Sequence, residues 1–231
     1  MLYHQRYDLN KGKEGNIEEK FLSHVSHRVR TPLNSVIGFS KLLMSTDLSE
    51  HRTREFAEKI MDSGYQILQY FQNLIDLSEL ESGMIKVNPA KVGIRQLLTG
   101  VVGGYKDRLG QDHSIDIYLT NSENELVVST DEYILERIIN NLIELSRSHI
   151  EQGLVTIDYE QLSDDQVSME IRGIKSSELN GHNRERSAEA VECDYFTWKA
   201  VRELVELLQG EVSSRSDNHE VIYTIQFPYK P

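Results

Sequence analysis

Phe21-Leu22-Ser23-His24-Val25-Ser26-His27-Arg28-Val29-Arg30-Thr31-Pro32-Leu33-Asn34-Ser35-Val36-Ile37-Gly38-Phe39-Ser40 decides how the first third of the chain folds. The helical pattern begins at Ile17. Phe21, Val25, Val29, Leu33, Val36, Ile37, Leu43 and Met44 fall on one stripe at about 100° per residue. The polar connection Ser45-Thr46-Asp47 ends it, and a second pattern follows through Phe56, Ile60, Ile67, Phe71 and Leu74. Ser82-Gly83 closes that one, glycine being the usual residue just past a helix end. Two long amphipathic helices joined by a short loop make an antiparallel hairpin over residues 17–83. A lone hairpin leaves an apolar side uncovered, so self-pairing into a four-helix bundle, and hence a homodimer, is expected.

Outward from the hairpin, residues 1–16 are a polar tail and residues 84–92, with Pro89, a strand and linker. Residues 93–231 change texture. Ile94, Leu97, Leu98, Val101, Val102 and Tyr105 mark a helix, and Ile115, Ile117 and Leu119 alternate as in a half-buried strand. Further strands are expected at 125–128, near 154–160 and near 167–172, a helix over 131–150, another over 196–208, and a closing hairpin over 212–227. The polar stretch Lys175 to Asp194 reads as a flexible loop. The fold class is therefore α+β: a helical hairpin followed by a two-layer sandwich of helices on a mostly antiparallel sheet.

Composition narrows the function. The chain has 231 residues, enough for one large domain or two small ones. Its 25 Lys+Arg against 37 Asp+Glu give a net charge of -12, which argues against nucleic acid and anionic membrane as partners. The single Cys excludes a disulfide framework and a cysteine zinc site. No apolar run approaches the roughly 20 residues that span a bilayer, and Met1 to Gly15 has no apolar signal core, so a soluble cytoplasmic protein is expected.

One surface carries chemistry. His27 lies roughly 170° from the centre of the first helix's apolar stripe, with Lys20, Thr31 and Asn34 on the same outward side and His24 nearby. Thr31 is one turn along, within reach of whatever His27 carries. Arg28 and Arg30 supply positive charge that would steady a phosphoryl group. Pro32 removes a backbone N–H and crowds the carbonyl of residue 28, so a bend near His27 is expected. An exposed neutral imidazole is a good nucleophile near neutral pH. The same pattern also fits one of eight histidines on a solvated face. A metal pair of His24 and His27 without a carboxylate neighbour is a weak site, and no metal is assigned.

The quoted stretch resembles the phosphoacceptor box of sensor histidine kinases, whose pattern is Ser-His-Glu-x-Arg-Thr-Pro-Leu. The end of the second helix, Leu77-Ser78-Glu79-Leu80-Glu81-Ser82-Gly83, is similar to that family too, as is Asp131-Glu132-Tyr133-Ile134-Leu135-Glu136-Arg137-Ile138-Ile139-Asn140-Asn141-Leu142-Ile143. The resemblance runs from Ile17 to Phe227. It implies a dimeric hairpin whose His27 accepts a phosphoryl group, and a following ATP-binding sandwich of the GHKL type. It also implies docking of a response-regulator receiver domain, with Lys20, His24, Arg30 and Asn34 around the docking face. Thr31 matches the residue that helps position water for dephosphorylating the partner.

The departures from the family pattern fall on the ATP chemistry. Arg28 stands where the family has an acid that takes the proton of the histidine ring, and a guanidinium is no base at neutral pH. Aligning on Asn141 puts Leu145 at the magnesium-binding asparagine, and a hydrocarbon cannot ligate a hard cation. A one-residue slip would bring Glu144 there instead. Gly173 occupies the position of the aspartate that reads adenine. Tyr195-Phe196-Thr197-Trp198-Lys199-Ala200 replaces the last glycine box, leaving no glycine between Gly181 and Gly210 to let backbone N–H groups approach phosphates. Trp198 and Tyr195, with the polar loop, read as a docking surface, and Trp198 reads equally as core on an amphipathic helix. These losses imply a degenerate ATP-binding-like domain over 93–231 and a histidine phosphotransferase passing phosphoryl groups between receiver domains through His27. Such a protein needs no cofactor of its own, the receiver supplying Mg²⁺. Two alternatives are a non-catalytic pseudokinase that docks a response regulator or kinase, and an active histidine kinase with divergent boxes.

Overall fold

A computed structural model of the chain describes residues 14–45, 48–109, 114–120, 125–150, 152–163, 165–176, 195–217 and 219–228. Helix α1 (Glu14–Ser45) runs through Pro32, and α2 (Glu50–Glu81) packs along it. α1 starts earlier than the Ile17 onset, because Glu14, Gly15 and Asn16 have no apolar period to reveal them. Ser49 caps α2, its hydroxyl accepting from Arg52 N–H at 3.4 Å. At the other end Gly83 takes φ 65. Its N–H reaches the Leu80 carbonyl and Met84 N–H the Glu79 carbonyl, the two bonds of a Schellman stop that only glycine adopts without strain.

The remaining elements are β1 (Ala90–Gly93), α3 (Ile94–Leu109), β2 (Ile115–Leu119), β3 (Val127–Thr130), α4 (Glu132–His149), β4 (Gly153–Ser163), β5 (Gln166–Lys175), α5 (Tyr195–Leu207), β6 (Glu211–Ser216) and β7 (Glu220–Pro228). Five strands form one sheet in the order β2-β4-β5-β7-β6, while β1 and β3 pair as a separate antiparallel ribbon. β2 and β4 run parallel, and the other sheet neighbours are antiparallel. The three helices cover one sheet face. Val155, Ile157 and Tyr159 of β4, Val167, Met169 and Ile171 of β5, and Val221, Tyr223, Ile225 and Phe227 of β7 are buried at alternate positions, as a one-sided sheet requires. They meet Ile134, Leu135, Ile138, Ile139, Leu142 and Ile143 of α4. The fold is the expected α+β architecture of hairpin and two-layer sandwich.

Several local expectations shift. The strand expected at 125–128 forms as β3 two residues later, since Glu125 and Leu126 precede the pairing with β1, although Leu126 still enters the core. β4 and β5 outrun their apolar alternation because their paired backbones continue through polar residues. Of the stretch expected as a flexible loop, residues 177–194 lie outside the described residues, as does the bulk of the tail over 1–16, residues 1–13. Asp131 ties the linker to the sandwich: one carboxylate oxygen caps α4 by accepting from Ile134 N–H at 3.1 Å, and the other accepts from Asn88 N–H at 2.8 Å.

Candidate functional site

His27 is exposed on α1. The Thr31 hydroxyl donates to the His27 carbonyl at 3.4 Å, one turn back along the helix. Pro32 is buried, Arg30, Thr31 and Asn34 are exposed, and Arg28 is half-buried. Lys20 and His24 sit on α1, and their side chains lie outside the described residues. The apolar stripe behind this surface is incompletely covered: Leu33 is 43% and Ile37 45% exposed, and on α2 Leu68 is 65%, Phe71 46% and Ile75 49% exposed.

The face that α2 does bury is polar. Ser63, Tyr70, Asn73, Asp76 and Leu77 are its buried residues, not the stripe of Phe56, Ile60 and Ile67. That face meets α4 and α5. Asp76, fully buried, forms an ion pair with Arg137 of α4 and accepts from Gln72 Nε2 at 3.2 Å. Burial draws the Arg137 guanidinium down to about 10, which leaves it a cation at neutral pH. Gln69 Nε2 donates to Asn141 Oδ1 at 2.8 Å. Asp62 pairs with Arg147 at 3.4 Å, and Arg147 also reaches Glu144 at 2.9 Å. Burial opposes the Arg147 charge, but Glu144, Asp62 and Tyr105 outweigh it and hold the guanidinium above its ordinary value. Asn73 Nδ2 donates to Thr197 Oγ1 at 3.3 Å, and Leu77 packs with Phe196 and Ala200 of α5. Lys199 and Glu81 pair at 3.0 Å on the rim.

The nucleotide-side positions are distributed through this region. Asn141 is fully buried against α2, and Leu145, 2% exposed, belongs to the hydrophobic core. Gly173 of β5 lies tight under α4: a Cβ there would stand 3.2 Å from Ser146 Cβ, from the Ser146 carbonyl oxygen and from Val221 Cγ1. Glu144, the alternative metal position, accepts from the Tyr105 hydroxyl at 3.0 Å. α5 begins at Tyr195, whose side chain lies outside the described residues. Trp198 is half-buried on the core, its ring 5.7 Å from that of Tyr223, which settles its two readings in favour of packing. Among the described residues no group of His, Cys, Asp and Glu could hold a metal ion, and no helix is long and apolar enough to cross a membrane.

Comparison with known proteins places both halves. The family described as His Kinase A (phospho-acceptor) domain matches residues 17–83. The signal transduction histidine-protein kinase BarA of Escherichia coli (strain K12) is 30% identical over 159 residues, 68% of this chain and 17% of the relative. Probable histidine kinase 5 of Oryza sativa subsp. japonica is 29% identical over 140 residues, 61% of this chain and 12% of the relative. Residues 17–83 are a histidine kinase phospho-acceptor domain, and the chain is a relative of histidine kinases. It spans less than a quarter of the length of these curated relatives. The fold agrees: the histidine kinase AdeS of Acinetobacter baumannii superposes with a TM-score of 0.54 at 17% identity, covering 89% of this chain and 98% of that one. The histidine kinase ThkA, solved in complex with the response regulator protein TrrA, gives 0.55 at 15% identity over 94% of this chain and 63% of that one.

Motif reading singled out His27, which the structure exposes, and Asn141, which it buries, but not the polar seam. Asp62, Gln69, Asn73 and Asp76 recur along α2, and Arg137, Asn141, Glu144 and Arg147 along α4, each at helical spacing. The signal was present as two polar stripes of opposite charge. It escaped notice because polar stripes are ordinarily assigned to solvent.

Proposed function

We propose that the chain acts in two-component signalling as a histidine phosphotransferase, accepting a phosphoryl group from a receiver domain on His27 and passing it to a second receiver. The single observation that carries the reading is a contrast. His27 is exposed, while Gly173, at the adenine-reading position, lies so close under α4 that a Cβ there would stand 3.2 Å from Ser146. The residues present do not fit a magnesium nucleotide: Leu145 offers no oxygen, and the Asn141 oxygen already accepts from Gln69.

In the proposed step a ring nitrogen of His27 attacks the phosphorus of an aspartyl phosphate. The N–P bond forms as the P–O bond to the aspartate breaks, and the carboxylate leaves with the electron pair. The second receiver reverses the sequence with its own carboxylate as nucleophile. Mg²⁺ held by the receiver carries most of the charge neutralisation. Arg28 and Arg30 lie one and three residues from His27 and add positive charge beside the transferred group. Thr31 lines the same face, where it would position water when the phosphoryl group is hydrolysed instead of passed on. Lys20, His24 and Asn34 complete the surface offered to the receiver. The exposed apolar residues Leu33, Ile37, Leu68 and Ile75 favour a homodimer through the hairpin. A cytoplasmic setting follows from the proposed receiver partner.

The test is transfer itself. Incubation with a phosphorylated receiver should place acid-labile label on the wild type and none on His27→Ala; equal labelling of the two, or no label at all, would overturn the proposal. A second reading, an ATP-dependent kinase, draws on Asn141, which keeps the family residue, and on relatives named as kinases. Mg-ATP must then raise the melting temperature, because a ligand specific for the folded state stabilises it, and must label His27 directly.

A further inference from the structure

The geometry points to a converted surface: the face of α4 that carries Arg137, Asn141 and Arg147 is a docking surface for α2 of the same chain. It holds the sandwich against the hairpin at the level of His27 without nucleotide. This inference rests on the phosphotransferase reading for its meaning, but its geometry is independent of it.

Three observations carry it. The first is register. Asp62 meets Arg147, Gln69 meets Asn141 and Asp76 meets Arg137, so α2 residues rising in number meet α4 residues falling in number. That is an antiparallel seam, with one polar contact at each of three successive levels. The second is charge complementarity. Both end contacts put the carboxylate on α2 and the guanidinium on α4, so the two helices present charges of opposite sign to each other. Leu77, Phe196 and Ala200 add a small apolar contact at the linker end.

The third is height. Phe39 of α1 packs on Phe56 of α2 with ring centroids 5.4 Å apart. Counting along both helices from that contact, at about 1.5 Å of rise per residue, brings His27 level with Leu68. Gln69, the next residue, is the one that occupies Asn141. A kinase must bring nucleotide to this level; here the same level is closed by α2 itself. Asn141 is fully buried with Gln69 on its oxygen, so a ligand could reach that side chain only if α2 moved away, and hairpin docking and ligand binding at Asn141 are alternatives.

The seam also carries a cost. Among the described residues, the buried atoms Asn73 Oδ1, Asn141 Nδ2 and Arg147 Nε have no hydrogen-bond partner. Such orphans subtract from what the ion pairs and the apolar contact add. Docking is thereby sensitive to loss of a single partner, which makes it testable.

Hydrogen–deuterium exchange on the full chain decides the matter. In the wild type, amides of α2 across residues 66–77 should be protected relative to the early turns of the same helix, and Mg-ATP should leave that protection unchanged. Arg137→Gln should speed exchange across 66–77 by about tenfold or more, since removing one member of a buried pair leaves the other uncompensated. β5 and β7 should keep wild-type protection. If Arg137→Gln also deprotects those strands, the sandwich has unfolded, and Asp62→Asn on the exposed end of the seam becomes the deciding variant. Wild-type exchange in a folded variant, or deprotection of α2 by Mg-ATP, overturns the inference. Receiver-dependent labelling of His27 separates the claims. Label without a seam sinks only the docking, and a seam without label sinks only the proposed function.

Discussion

Two helices carry sequence that resembles the histidine kinase pattern, and their surroundings are opposite. On α1, His27 projects into solvent from a helix that keeps part of its apolar stripe uncovered. On α4, Asn141 is fully buried between a hydrophobic core and a polar seam. The chemistry of a phosphoacceptor asks only for an exposed ring on a stable helix. Nucleotide chemistry asks for empty space lined by oxygen donors and flexible glycine. Space is the feature packing removes most readily, because any void forfeits dispersion contacts. α1 therefore leaves His27 open to solvent, while α4 keeps Asn141 but surrounds it with protein.

The comparison breaks most visibly at Asp76. Asp76→Ala takes the carboxylate from Arg137, which is left half-buried beside the Gln72 carbonyl and the Tyr133 ring, and should cost about 3 kcal/mol. For a chain of this size that lowers Tm by roughly 10 °C, readable by calorimetry. The double variant Asp76→Leu with Arg137→Met replaces both charges by hydrocarbon and should recover most of the loss. A double variant as unstable as the single would mean that the pair is not the contact that matters.

Gly173→Asp restores the side chain the family has at that position. Because a Cβ already stands 3.2 Å from Ser146 and Val221, α4 would have to lift from the sheet to admit a carboxylate. Overpacking and a desolvated charge together should cost about 3 kcal/mol, and the variant should show no thermal shift with Mg-ATP. A stable variant that gains such a shift would show that the α4 side opens easily, and the contrast with α1 would lose its basis. Asn73→Ala is a smaller probe. It removes one bond to Thr197 and one orphaned carbonyl oxygen, so the net loss should be only about 1 kcal/mol in denaturant unfolding.

The helices and most strands were legible because each buries a continuous apolar set: the Ile134, Leu135, Ile138, Ile139 and Leu142 series fixes α4 without help from its neighbours. His27 was legible for the complementary reason, standing opposite such a set. The seam was not. Asp62, Gln69 and Asp76 look like an ordinary solvated stripe until Arg147, Asn141 and Arg137, far away in sequence, are brought against them. Periodicity reports which face of a helix is apolar, not which polar face another domain will cover. The same limit placed the buried side of α2 on Phe56, Ile60 and Ile67, whereas Tyr70, Asn73, Asp76 and Leu77 are the residues buried.

The smallest expected effect on stability falls where the largest effect on function is proposed. His27 is exposed, and its backbone carbonyl, which survives any substitution, is the group that accepts from Thr31. His27→Ala removes only a solvated ring and places a better helix former on α1, so the unfolding free energy should stay within about 0.5 kcal/mol of wild type. Exchange across residues 66–77 of α2 should likewise be unchanged, since the seam is built from Gln69, Asn73 and Asp76 and not from the ring. Loss of transfer with intact stability and an intact seam would then localise the activity to one imidazole. A destabilised His27→Ala would instead give that residue a structural task, and the division between an open α1 surface and a closed α4 surface would have to be redrawn.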